Sequence, residues 1–80
     1  HMATAYLSVF IRPDGTWTNP GIYSEFPCEQ VGRGSWAMIA SFEAKDYDTA
    51  RRKLKDKLLN SGNMSKFLAD QLRDDRPEYL

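Results

Sequence analysis

The fold is decided by residues 5–18, which read AYLSVFIRPDGTWT. Residues 5–12 alternate aliphatic side chains with aromatic or small ones, namely Leu7, Val9 and Ile11 against Tyr6, Ser8 and Phe10. This period of two in a β-branched and aromatic segment predicts a strand with its aliphatic face buried. Pro13-Asp14-Gly15 follows, and because Gly15 tolerates a positive φ we predict a hairpin turn there, with Thr16-Trp17-Thr18 beginning the returning strand.

The next thirty residues predict further β structure. Asn19-Pro20-Gly21 is a second turn signal, after which residues 22–26 continue or resume the strand. Residues 27–34 contain two glycines and a proline and are interpreted as a surface loop. Residues 35–43 have apolar side chains on both faces, which indicates a central strand, or one that helices cover on one side.

The second half of the chain is typical of helices. Asp46 is a good N-cap for a first helix over residues 46–60, whose buried stripe comprises Tyr47, Ala50, Leu54 and Leu58. Ser61-Gly62 ends this helix. A second helix begins at Asn63 or Ser65 and frays after about residue 75, before Pro77. Its predicted apolar stripe comprises Met64, Phe67, Leu68 and Leu72.

We therefore predict an α+β fold, a small antiparallel β-meander followed by two helices packed on one face. The meander has three strands, or four in an alternative interpretation, and the element order is β-β-β-α-α. The 80 residues suffice for one domain. We expect residues 1–2 to be an expression-tag remnant, residues 3–76 to form the domain and residues 77–80 to be a frayed tail.

The composition argues against catalysis and against a membrane protein. His1 is the only histidine of the chain. If residues 1–2 come from a tag, no native histidine remains to act as a general base or metal ligand. We expect no enzymatic activity, no cofactor and no metal. Cys28 is the single cysteine, so no internal disulfide can form and we expect the protein in the reducing cytoplasm. Because the acidic Glu29 follows Cys28, we expect the thiol to be unreactive. No apolar run approaches the roughly 20 residues of a membrane span.

Charge is distributed unevenly along a chain whose net charge is zero. Residues 45–57 hold six basic and three acidic groups, whereas residues 1–44 hold two basic and four acidic groups. The basic groups include Arg51, Arg52 and Lys55, which we predict to bind an acidic protein surface. Their alternative partner is nucleic acid, bound by the basic face of helix 46–60. The simplest interpretation is a solvated helix face.

Aromatic residues are concentrated in the β half. A core of this size cannot bury all of them, so we predict an exposed aromatic sheet face that binds a partner, comprising Tyr6, Phe10, Trp17 and Tyr23. In the alternative interpretation, one tryptophan closes the edge of the core and the 27–34 loop half covers the other aromatic side chains.

Part of the chain resembles a known kind of DNA-binding module. Gly15-Thr16-Trp17 and residues 41–50, SFEAKDYDTA, resemble the three-stranded sheet and helix of tyrosine recombinases and plant AP2 factors. These modules have a strand ending in Phe, a polar link and a helix beginning near an alanine. The resemblance implies that basic residues on the sheet read the major groove. Here the β half is net acidic, so the chain departs from the pattern where DNA would be contacted.

These observations predict a small non-enzymatic protein-binding module. By analogy of size, we expect an accessory or inhibitor protein of the kind that phages and mobile elements encode, acting on a host protein complex. Its partner would present an acidic or apolar surface. Nucleic-acid binding is the second hypothesis. A homodimer through an edge strand is a further one, because residues 4–12 contain no proline to guard their edge.

Overall fold

A computed structural model of the chain describes residues 1–26 and 34–74. The elements in this part, in chain order, are β1 Ala3–Ile11, β2 Gly21–Tyr23, β3 Ser35–Ala44, α1 Tyr47–Asn60, α2 Lys66–Gln71 and β4 Arg73–Asp74. The predicted α+β fold, three antiparallel strands followed by two helices, is confirmed. Predictions about Cys28, most of the 27–34 loop and the 77–80 tail fall outside the described residues.

The sheet has the strand order β3-β1-β2-β4, which places β1 in its interior. The predicted meander is therefore wrong in its strand order, because β3 pairs with β1 and not with β2. β1 pairs antiparallel with both β2 and β3, and β4 adds to β2 in parallel. β3 therefore lies at one edge of the sheet, and α1 packs on one of its faces. Residues 35–43 were predicted to form either a central strand or a strand that helices cover on one side, and the structure shows the second. Residues 4–12 do not lie at an edge of the sheet, because β3 pairs along the whole of β1 on one side and β2 pairs with it on the other.

A bulge in β3 explains why both faces of this strand are partly apolar. Leu7 pairs with Ala40 but Ser8 pairs with Met38, so Ile39 is an extra residue. The residues on either side of a bulge change faces relative to a regular strand. As a result Ala40 lies on the helix side of the sheet with Leu7, whereas Met38 lies on the opposite side with Ser8.

The core lies between α1 and the sheet. Its buried cluster comprises Ala5, Leu7, Ile22, Ala44, Ala50, Leu54 and Leu58. Asp46 caps α1 by accepting a hydrogen bond from the Thr49 N–H at 2.7 Å, and Gly62 follows the helix with a φ of +76°. Ala50, Leu54 and Leu58 are buried as predicted. The hydroxyl of half-buried Tyr47 donates to the Ile22 carbonyl at 3.3 Å, which connects the start of α1 to β2.

The second helix differs from its prediction in rotation and in length. Ser65 caps α2 by accepting from the Leu68 N–H at 3.2 Å, in agreement with one of the two predicted caps. The predicted apolar stripe is wrong at Phe67 and Leu68, which are 71% and 54% exposed, while Ala69 is buried. The helix ends at Gln71 rather than near residue 75, because the chain then extends to pair β4 with β2.

Candidate interaction surfaces

The face of the sheet opposite the helices carries an aromatic cluster of Tyr6, Phe10, Tyr23, Phe26 and Trp36. The ring centroids of Phe10 and Trp36 lie 5.2 Å apart, those of Tyr23 and Trp36 5.5 Å, and those of Tyr6 and Phe26 5.4 Å. Such tilted and edge-on pairs stabilise a fold by roughly 0.5–1.5 kcal/mol each beyond the area they bury. Phe10, Tyr23 and Trp36 therefore form a second small core on this face of the sheet, whereas Phe26 at the end of the cluster is 60% exposed.

This cluster corrects the predicted exposed aromatic face. Phe10 and Tyr23 are 2% and 6% exposed and Tyr6 is half-buried, so the first two have almost no surface for a partner. Trp36 was not among the predicted site residues, yet it contacts both of them. The prediction failed because it assigned one buried face to β1, whereas both faces of this strand are packed.

Small residues in the centre of the sheet make room for the aromatic cluster. Ser8 is fully buried and pairs with Gly21, so little side chain stands between Trp36 on one neighbouring strand and Tyr23 on the other. The Ser8 hydroxyl and the Trp36 indole N–H are buried without a hydrogen-bond partner in the described part of the chain. Unpaired buried polar groups destabilise a fold. The cost of burying these two groups therefore offsets part of the stabilisation that the aromatic packing provides.

Trp17 is the one predicted aromatic site residue that the structure exposes extensively, with 61% of its surface accessible. It lies on the returning arm of the hairpin, where it pairs with Ile11. The turn is the one predicted: the Gly15 N–H donates to the Arg12 carbonyl at 2.9 Å and Gly15 has a φ of +86°. The hairpin thus presents the indole to solvent from a defined backbone.

Hydrogen bonds hold this hairpin on both sides of Trp17. Asp14 accepts from both the N–H and the hydroxyl of Thr16, at 2.9 and 2.6 Å. These two bonds hold the pKa of the Asp14 carboxyl below its ordinary value. The Arg12 guanidinium donates to the Thr16 hydroxyl at 3.2 Å and to the Trp17 carbonyl at 3.4 Å. Beyond Trp17, the Thr18 N–H donates to the Phe10 carbonyl at 2.9 Å.

The predicted basic face of α1 divides into two environments. Arg51 and Arg52 both engage the Asp48 carboxylate, at 3.3 and 3.5 Å, so one anion offsets part of both charges. Exposed ion pairs of this kind contribute little to stability. Arg52 and Lys55 line a groove between α1 and α2, whereas Arg51 does not. The structure therefore brings two of the three predicted basic site residues together.

The groove between α1 and α2 has a volume of about 440 Å³. Its charged lining comprises Arg52, Lys53, Lys55 and Lys66 together with Asp56 and Asp70, and Thr49, Leu59 and Ala69 complete it. The sequence indicated part of it, since it predicted two helices packed on one face and included Arg52 and Lys55 among the basic site residues. It did not indicate Lys66, which lies on a helix whose rotation was predicted wrongly.

Neither a metal centre nor a membrane span is found in the described residues. Within 1–26 and 34–74, no group of three or more His, Cys, Asp or Glu side chains is arranged to hold a metal ion. Asp46 has a lowered pKa because it accepts the hydrogen bond that caps α1, which is a structural role. In the same part of the chain, neither helix has the length and apolar character needed to cross a bilayer.

Comparison of the chain with models of protein families, with curated proteins and with solved structures finds no match in any of the three.

Proposed function

We propose that this chain is a small non-enzymatic protein-binding module of the cytoplasm whose principal anchor is Trp17. One observation carries the proposal: a tryptophan that is 61% exposed lies on a hairpin whose backbone is fixed on both sides of it. Tryptophan is enriched among the few interface residues that supply most of the binding free energy.

The rigidity of the hairpin supports this role for Trp17. Binding costs conformational entropy when loops and side chains must become ordered. Here the Asp14–Thr16 and Arg12–Thr16 bonds already order the turn, so only the indole torsions remain to be fixed. The Asp14–Thr16 bonds and the positive φ of Gly15 already stabilise the turn locally. Because 61% of the Trp17 surface is accessible, most of the indole remains available to a partner.

The proposal is tested by affinity capture from a native lysate with the wild-type chain, Trp17→Ala and Phe67→Ala as baits. Phe67 is the matched control, because it is an exposed aromatic side chain on a different element. We expect a protein partner to be retained by the wild type and by Phe67→Ala and lost by Trp17→Ala, with no effect of nuclease. Circular dichroism of each bait verifies that it is folded.

Two outcomes of this capture would contradict the proposal. Equal retention by all three baits would remove Trp17 from the interface. Capture that nuclease abolishes would favour the alternative function, nucleic-acid binding by the basic face of α1. The accessory or inhibitor role and the lack of enzymatic activity stay predictions. So does a homodimer, which would pair at the β3 or the β4 edge of the sheet rather than at residues 4–12.

A further inference from the structure

We propose that the groove between α1 and α2 binds an acidic, amphipathic segment of the partner protein. The two helices form its walls, with residues at helical spacing on each side. Arg52, Lys55 and Leu59 lie along α1, and Lys66 and Ala69 lie along α2. Its volume of about 440 Å³ is within the range of roughly 300–1,000 Å³ that ligand sites occupy.

The charge of the groove identifies the sign of its ligand. Four cations line it and two carboxylates accompany them. Lys66 pairs with Asp70 at 3.3 Å, and Arg52 pairs with Asp48 at 3.5 Å. Among the lining residues that the structure describes, Lys53, Lys55 and Asp56 have no ion-pair partner, which leaves two cations against one carboxylate. These two ammonium groups are available to an anionic ligand, and Lys55 is half-buried, which reduces the screening of its charge by solvent.

The other lining residues favour a peptide over a phosphate backbone. Asp56 and Asp70 lie among the cations and would repel a regular row of phosphates. Half-buried Leu59 adds apolar surface to the groove, and a phosphate backbone has no apolar group that could pack against it. A protein segment with acidic and apolar side chains can place its carboxylates against the cations of the groove and its apolar side chains against the apolar lining. Its acidic groups can also be spaced so that they avoid Asp56 and Asp70.

This inference deepens the proposed function by stating the chemistry of the partner at a surface distinct from Trp17. It is tested by fluorescence polarisation with a labelled peptide carrying Glu and Leu at helical spacing. A peptide with Lys in place of Glu and an oligothymidylate are compared at the same ionic strength. The protein variants are Lys55→Glu and Lys57→Glu, which change the net charge equally on one helix, although only Lys55 lines the groove.

We expect the Glu/Leu peptide to bind in preference to both other probes. Lys55→Glu replaces one attraction with a repulsion and should weaken this binding by about tenfold. Lys57→Glu should change it by less than about twofold, because Lys57 lies outside the groove. Both variants should retain the helical circular dichroism of the wild type, since neither side chain belongs to the buried stripe of α1.

Three results would overturn the groove assignment. Equal loss with both variants would attribute the binding to net charge. If none of the probes bound, the groove would not be a site for an acidic, amphipathic segment. Preference for the oligothymidylate, with sensitivity to Lys55→Glu, would make the groove a nucleic-acid site. Protein capture that still depends on Trp17 would leave the proposed function standing in each case, so the two failures are distinguishable.

Discussion

Replacement of Gly34 by alanine tests the β1–β3 arrangement most sharply. Gly34 directly precedes β3 and has a φ of +105°. A Cβ atom at this position would collide with the carbonyl oxygen of Ile11 and lie 3.1 Å from the Cα of Arg12. Neither neighbour can withdraw easily, because Ile11 is paired with Ser35 on one side and Trp17 on the other.

The expected loss of stability follows from two contributions. A non-glycine residue in a sparsely populated backbone conformation costs about 1–3 kcal/mol. Overpacking that forces the backbone to shift costs about 1–3 kcal/mol more. We therefore expect Gly34→Ala to lower the free energy of unfolding by about 4 kcal/mol, a large share of the stability of a small domain. Gly15→Ala is the control: its φ is +86° with nothing within 4 Å, so only about 1–2 kcal/mol should be lost.

Thermal unfolding followed by circular dichroism measures the difference. For a domain of this size, 1 kcal/mol corresponds to a change of about 4–8 °C in the unfolding midpoint. Gly34→Ala should therefore unfold on the order of 10 °C or more below Gly15→Ala, or fail to fold. If both variants melted at the same temperature, Gly34 would not approach Ile11 closely, and the register at this end of β1 and β3 would be wrong.

Three further predictions concern the core, the caps and the buried hydroxyl. Leu54→Ala removes a fully buried side chain and should cost about 2–5 kcal/mol in urea denaturation, whereas Leu68→Ala on the exposed side of α2 should cost less than about 0.5 kcal/mol; similar losses would place Leu68 in the core. Asp14 and Asp46 both have pKa values lowered below 3.8 in the folded state, so their contribution is present above that value and is lost as the pH falls through the folded pKa. An acid titration of the unfolding midpoint should accordingly be less steep for Asp46→Asn, and an unchanged slope would contradict this assignment. Ser8→Ala removes a buried hydroxyl without a partner among the described residues and should raise stability by about 1 kcal/mol, which a lowered midpoint would disprove.

Local signals in the sequence predicted those elements that local interactions determine. The Asp46 cap, the buried side chains of α1 and the stop at Gly62 all depend on residues within one or two turns of each other. The hairpin turn at Pro13-Asp14-Gly15 is local in the same sense, and it was predicted together with the exposed Trp17.

Features that depend on distant pairing were not predictable from one sequence. The bulge at Ile39 changes the faces of β3 partway along the strand, so no single alternation describes it. The burial of Phe10 and Tyr23 requires Trp36 to lie between them, and this contact depends on the strand order. The exposure of Phe67 and the burial of Ala69 depend on how α2 packs against α1. The groove between α1 and α2 depends on the same packing, so the sequence did not indicate the residues that α2 contributes to it.

The interior position of β1 has a consequence for the order in which the chain folds. β1 is the first strand along the chain and pairs with β3, so Ala3 can pair only with Ala44, some forty residues later in the sequence. Pairing of strands this distant in sequence closes a long loop and slows folding relative to a local hairpin. We therefore expect the hairpin of β1 and β2 to form before β3 pairs, which leaves one edge of β1 open until then. Trp36 contacts Phe10 and Tyr23 from the third strand, so its fluorescence should change only when all three strands have assembled.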